Sequence, residues 1–282
     1  MPTLTIVAGP TAVGKTAYAI GLARSLGTEV VSCDSRQFYS ELRIGVARPS
    51  DDELLSVRHH FVACRPVTDP YNIYDYERDA IRVATGLMER CGSAVAVGGS
   101  GLYVDALMHG VSVLPSPTPE LRASLQAMPI EEKRARLRLL DPDYYARVDL
   151  RNPVRLQRAL EVCIAAGRPY SALLAESKPA ARPFDVKLVV LGLPPAELRE
   201  RIDRRVDAMM AAGLADEVAS LLPFRHLPTL RTVGYTELFA ALDGRCTVAE
   251  AVEAIKLNTW HYARKQMSWL RRYGKQPQCA GS

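Results

Sequence analysis

Residues Gly9 to Thr16 read GPTAVGKT, set between a short apolar run, Leu4 to Ala8, and a segment, Lys15 to Leu26, with helical spacing that Gly27 stops. Strand, glycine loop and helix in that order constrain the fold more than any other feature of the chain. The pattern G-x-x-x-x-G-K-[ST] lets backbone N–H groups turn inward on phosphate oxygens, with the positive end of a helix behind them. Gly9, Pro10, Thr11, Ala12, Val13, Gly14, Lys15 and Thr16 are therefore the candidate diphosphate- or nucleotide-binding residues, with Lys15 neutralising charge and Thr16 able to ligate Mg²⁺.

A second apolar run ends at Val30 and Val31 before Asp34, a third covers Ala94 to Val97 before Gly98-Gly99-Ser100-Gly101, and a fourth covers Val186 to Leu193. Ligands of open α/β sheets collect outside the carboxyl ends of strands, so the loops after the first three runs are expected to converge on one crevice. The predicted fold is α/β: a P-loop NTPase-like parallel sheet flanked by helices, with an inserted all-helical domain. The insertion begins with Pro115, Pro117 and Pro119, reads as helical from Leu121 to Leu140, and closes near Pro179 and Pro183. Residues 1–111 and 185–282 are assigned to the core and 112–184 to the insertion. The best-defined helix of the insertion has Asn152 as N-cap, Pro153 at its first position, an apolar stripe of Leu156, Leu160 and Ile164, and Gly167 after its last turn. A further stripe, Leu198, Ile202, Val206 and Met210, is flanked by Arg201, Arg204 and Arg205.

At 282 residues the chain can bury a sizeable core, and no run approaches the roughly 20 apolar residues of a membrane span. A motif this close to residue 1 leaves no room for a signal peptide, so a cytoplasmic protein is expected. The six cysteines form no C-x-x-C pair, which points away from a zinc site or a disulfide framework. From Ala254 to Ser282 there are six Lys or Arg and no Asp or Glu, among Trp260, Tyr262, Trp269 and Tyr273. Such a stretch suits a polyanion, and equally a helix with a solvated basic face.

The loop specifies phosphate without specifying the reaction. Most such loops serve phosphoryl transfer, in which a carboxylate such as Asp34 holds Mg²⁺ or activates a nucleophile. A small-molecule kinase and an RNA-binding module with a nucleotide-regulated clamp both remain open on these residues.

Six motifs in fixed order narrow the choice: GPTAVGKT, DSRQFY from Asp34, VGGSGLY from Val97, NPVRLQRALEV from Asn152, RTVGYTE from Arg231 and ARKQMSWLRR from Ala263. With them the chain resembles the tRNA dimethylallyltransferases from about residue 4 to residue 272. The resemblance implies a Mg²⁺-dependent transfer of a dimethylallyl group from dimethylallyl diphosphate to N6 of the adenosine immediately 3′ of the anticodon, in tRNAs reading codons that begin with U. It assigns Asp34 as the base, Thr16 as the link to metal and phosphates, and Ser100, where the family usually has Thr, as a hydroxyl contact. Arg205 best matches the arginine that steadies diphosphate, with Arg201 as the fallback one turn away.

An adenine stacked in an RNA loop reaches such a site only when extruded. The resemblance sets Asp34, Ser35, Arg36, Gln37 and Ser100, the segment Val154, Arg155, Leu156, Gln157 and Arg158, and Arg231, Thr232, Val233, Gly234, Tyr235 and Thr236 against the tRNA anticodon stem-loop, with Arg122 as a further candidate. The expected protein is a monomer with no obligate protein partner. Two departures bear on the donor pocket: the family commonly has G-T-A-K-P where this chain has Gly45-Val46-Ala47-Arg48-Pro49. A relative that prenylates free adenine nucleotides is the nearest alternative, against which the insertion and basic C-terminal stretch argue.

Overall fold

The computed structural model describes residues 2–69, 71–177, 181–274 and 278–279. Six strands are found among them: β1 (Thr3–Ala8), β2 (Val30–Ser32), β3 (His59–His60), β4 (Ser93–Gly98), β5 (Asp185–Gly192) and β6 (Gln278–Cys279). They form one sheet in the order β3-β2-β4-β1-β5-β6, and every pairing is parallel. The strand that feeds the phosphate loop is central, with Ile6 of β1 in register with Ala96 of β4 and Leu188 of β5. The two-residue strands β3 and β6 are additions that no apolar run announces.

Alternation along these strands supplies two faces. Leu4, Ile6, Val31, Ala94 and Ala96 point into one core, while Val7, Val30, Val95 and Val97 point into the other. A parallel sheet must be covered on both faces, because its crossovers are helices. The first face packs on α3 (Ile73–Cys91) through Tyr76, Ala80, Ala84 and Leu87. The second packs on α1 (Lys15–Ser25) through Ala19, Ile20 and Ala23. The helix α2 (Asp51–Ser56) precedes β3, and α4 (Gly101–His109) follows β4.

By its contacts the chain divides into two compact units, Met1–Met108 with Arg182–Ser282, and His109–Ala181. The second unit is helical: α5 (Pro119–Ala127), α6 (Ile130–Leu140), α7 (Pro142–Tyr145), α8 (Pro153–Ala166) and α9 (Tyr170–Glu176). Its core is Leu125, Leu137, Leu156, Ala159 and Leu160. The stretch read as helical from Leu121 to Leu140 forms two helices, broken where Met128 leaves the helical region ahead of Pro129, as the residue before a proline tends to do. In α8 the Asn152 side chain accepts from the Arg155 N–H at 3.2 Å and Gly167 takes φ 63°, so both caps lie where the sequence set them. Ile164 departs from its expected stripe and is 40% exposed. Pro179 and Lys275 lie outside the described residues.

The first unit is completed by α10 (Pro195–Ala211), α11 (Leu214–Ser220), α12 (Tyr235–Leu242) and α13 (Val248–Leu270). Leu198, Ile202 and Val206 of α10 are buried as their spacing requires. Among the described residues no helix is long and apolar enough to cross a membrane.

Candidate active site

The phosphate loop leaves β1 at Gly9, where a Cβ would fall 2.8 Å from the Leu191 carbonyl oxygen, closer than atoms tolerate. It passes through left-handed backbone at Ala12 (φ 64°) and Gly14 (φ 98°) before α1 begins at Lys15. The Lys15 ammonium donates to the Pro10 carbonyl at 2.6 Å. Burial and, second, the neighbouring Arg205 guanidinium lower its pKa to about 8, while Asp34 pulls it back upward.

Two cavities adjoin in this unit. One, of about 350 Å³, is walled by Gly14, Lys15, Thr16 and the Gly98-Gly99 turn after β4. The other, of about 530 Å³, is walled by Arg36, Arg231, Thr232, Gly234 and Thr236. Thr11, Asp34, Val46, Ala47, Arg205 and Tyr262 line both, so these six side chains mark the junction. Asp34 follows β2, and its Oδ1 accepts from the Arg36 N–H at 2.9 Å, an Asx turn that fixes the carboxylate. Arg205 reaches Thr11 Oγ1 with Nη1 at 3.4 Å, and burial pushes its pKa below the ordinary value while Asp34 raises it.

A glycine loop at a helix start and a second chamber, meeting at a carboxylate and a half-buried arginine, make an arrangement suited to group transfer. A family model described as IPP transferase matches residues 37–273. The chain belongs to the IPP transferase family. It is 44% identical over 276 residues to tRNA dimethylallyltransferase 1 of Bacteroides thetaiotaomicron, covering 96% of this chain and 89% of that one. The structure of the full-length tRNA isopentenylpyrophosphate transferase of Bacillus halodurans superposes with a TM-score of 0.70 at 31% identity, covering 96% of this chain and 87% of that one. A eukaryotic dimethylallyltransferase acting on tRNA shares the fold, with a TM-score of 0.83 at 23% identity over 96% of this chain and 70% of that one.

Within this IPP transferase chain the two arginine candidates separate. Arg205 stands at the junction of the cavities, whereas Arg201 lines the phosphate-side cavity alone and pairs with Glu197 at 2.9 Å. Ser100 lines neither cavity. It is 8% exposed, and its hydroxyl accepts from the Ser35 N–H at 3.3 Å, tying the glycine turn to the loop that carries Asp34. Gln37 works similarly: its amide donates to the carbonyls of Val46 at 3.3 Å and Ala47 at 3.0 Å. Arg48 turns from the cavities towards the Ser40 carbonyl, 3.5 Å away.

Arg231, Thr232, Val233, Gly234 and Thr236 all line the larger cavity, as do Asp34, Ser35 and Arg36. Tyr235 does not: it is 0% exposed, and so is Leu156. Their side chains therefore pack inside the protein, and any contact of these two segments with RNA falls to their neighbours. In the helical unit, Arg122 and Arg158 converge on Glu161, at 3.7 and 3.6 Å, and Gln157 donates to it at 3.0 Å. Glu161 is 5% exposed, so these side chains are held by a buried carboxylate, while Val154 and Arg155 are exposed.

Sequence reasoning missed Gln266. Its Oε1 accepts from the Thr11 N–H at 2.8 Å and its Nε2 donates to the Gly99 carbonyl at 2.9 Å, so one amide bridges both phosphate-side loops. Gly99 has no room for a Cβ because Gln266 lies against it. The available signal was a glutamine on the buried stripe of α13 with Ala263 and Leu270. The aromatic residues of the basic stretch are also partly structural, since Trp269 Nε1 donates to Asp105 at 3.0 Å.

Proposed function

We propose that this chain transfers a dimethylallyl group from dimethylallyl diphosphate to N6 of the adenosine immediately 3′ of a tRNA anticodon. The observation that carries the reading is the junction: Asp34 and Arg205 line both the phosphate-side cavity and the chamber walled by Arg231 to Thr236. The diphosphate sits on the Gly9–Thr16 loop and the extruded adenine enters the larger chamber, so the allylic carbon lies between them beside Asp34.

The N6 lone pair forms the new bond to the allylic carbon as that carbon's bond to oxygen breaks, and the departing electron pair goes to diphosphate. Lys15, Arg205 and loop N–H groups supply fixed positive charge where it accumulates. Asp34 takes the N6 proton, a step needed because that amine is delocalised into its ring and weakly nucleophilic. The Asx turn holds the carboxylate in place, at no reorganisation cost during the reaction.

The residues fit Mg²⁺. Thr16 and Asp34 offer oxygen to the phosphate-side cavity, as a hard cation requires. Among the described residues no group of three or more His, Cys, Asp or Glu gathers to hold a metal, so diphosphate and water would provide most ligands around Thr16. Bound there, Mg²⁺ would stabilise the leaving diphosphate as a Lewis acid.

The test is to incubate the protein with labelled dimethylallyl diphosphate, Mg²⁺ and unmodified tRNA bearing A-A-A beside the anticodon, with AMP and ATP in parallel. Label on N6 of the tRNA adenosine is expected. Label on AMP alone would identify a free-nucleotide prenyltransferase, and ATP turnover without label transfer a kinase.

A further inference from the structure

Glu217, on α11, belongs to none of the sequence motifs and lines neither cavity. Its carboxylate nonetheless takes four hydrogen bonds. Oε2 accepts from the N–H groups of Arg43 at 3.1 Å and Ile44 at 2.7 Å, and Oε1 from the Gly45 N–H at 3.0 Å and the Tyr235 hydroxyl at 2.6 Å. Three successive backbone N–H groups aimed at one anion form a nest, and charge-assisted bonds of this kind are the strong ones.

What the nest fixes is the wall of the site. Gly45 lines the larger cavity, and Val46 and Ala47 line both. Ala47 sits in left-handed backbone at φ 46°, a conformation a non-glycine residue holds only where its surroundings impose it. Two restraints impose it. Gln37 grips the Val46 and Ala47 carbonyls from the cavity side, and Glu217 grips the N–H groups just before them from behind. Tyr235 completes the clamp: its ring is fully buried, and a Cβ on Gly45 would fall 2.6 Å from it. The same tyrosine begins α12 directly after Arg231 to Gly234, so the clamp joins two segments of the larger cavity's wall.

We propose that Glu217 is a positioning residue for transfer: seated by Tyr235, it sets the Gly45–Ala47 wall and so the place where donor and acceptor meet at Asp34. The proposal rests on the prenyl-transfer reading above, but its structural half stands without it.

The experiment compares wild type with Glu217→Ala and Tyr235→Phe by amide hydrogen exchange and by steady-state transfer, at a temperature where melting shows each variant folded. In Glu217→Ala, exchange at Arg43, Ile44 and Gly45 is expected to accelerate by about 100-fold while β1 and β4 amides stay within about threefold. The donor KM is expected to rise about tenfold, whereas a merely lowered folded fraction would reduce kcat at unchanged KM. Tyr235→Phe, which keeps the ring and loses one bond, is expected to show the same pattern at about threefold, and it decides the matter if Glu217→Ala does not fold. Unchanged protection at residues 43–45, or a lower kcat with constant KM in the folded variants, overturns the proposal. Absence of transfer by wild type would refute the functional reading alone, with the exchange result still deciding whether Glu217 holds the wall.

Discussion

Arg201 and Arg205 share a helix and differ by one turn, yet their surroundings differ in kind. Arg201 is 39% exposed at its side chain and already paired with Glu197, while the half-buried Arg205 stands at the cavity junction with its guanidinium beside Thr11. Arg205→Ala is therefore expected to lower kcat/KM by about 100-fold, as removal of a preorganised charge does. Arg201→Ala should stay within about threefold, because an exposed ion pair contributes little. Comparing the two variants in one transfer assay checks both values. Lys15 adds a pH dependence. Its ammonium must be protonated to hold diphosphate, and burial has brought its pKa down to about 8. Donor affinity, followed by titration at fixed ionic strength, is expected to fall as pH rises through about 8, and Lys15→Met should lack that inflection. At this scale the sequence was legible where the pattern is local: the motif Gly9 to Thr16 follows β1 and runs into the start of α1. It was not legible for Tyr235 and Leu156, whose complete burial depends on distant packing.

Helices show the same division. The caps of α8 are set by Asn152, Pro153 and Gly167, all within the helix and its flanks, and they were readable from sequence. The break between α5 and α6 is also local, at Met128-Pro129, where the proline marks it. What no local pattern reveals is which helix reaches the phosphate loop. Gln266 of α13 lies 255 residues from Thr11, and Glu217 of α11 lies 173 residues from Ile44. Such contacts are decided by the order of strands and the covering of the sheet, not by neighbours along the chain. Gln266→Leu would keep the volume and remove both bonds, leaving the Gly99 carbonyl and Thr11 N–H without their partner. The expected result is a donor KM raised about tenfold with tRNA affinity unchanged, measured by donor titration and by filter binding of tRNA. Gln266→Glu should be worse still, since it sets an anion against the diphosphate site.

Across the molecule, a basic C-terminal stretch coexists with arginines that are paired inside the protein. The net charge is +5, yet many arginines are engaged within the protein, with Arg122 and Arg158 at Glu161 and Arg225 at Asp243. Arg155 is exposed on α8. If it contacts an RNA phosphate, Arg155→Ala weakens tRNA binding to a similar degree for every tRNA and reduces the slope of log affinity against log salt by about one. Binding titrations at several salt concentrations check this, and an unchanged slope would remove Arg155 from the interface. One of the two units carries the sheet and its Gly9–Thr16 motif, and the other, which is helical, carries Arg122, Arg155 and Arg158.

In the proposed transfer Asp34, where the two cavities join, takes the proton from the adenine amine. Single-turnover transfer by Asp34→Ala, with labelled dimethylallyl diphosphate and tRNA both saturating, tests it most directly. A rate at least about 100-fold below wild type is expected while donor and tRNA still bind, as loss of a general base produces. A rate near that of wild type would contradict it.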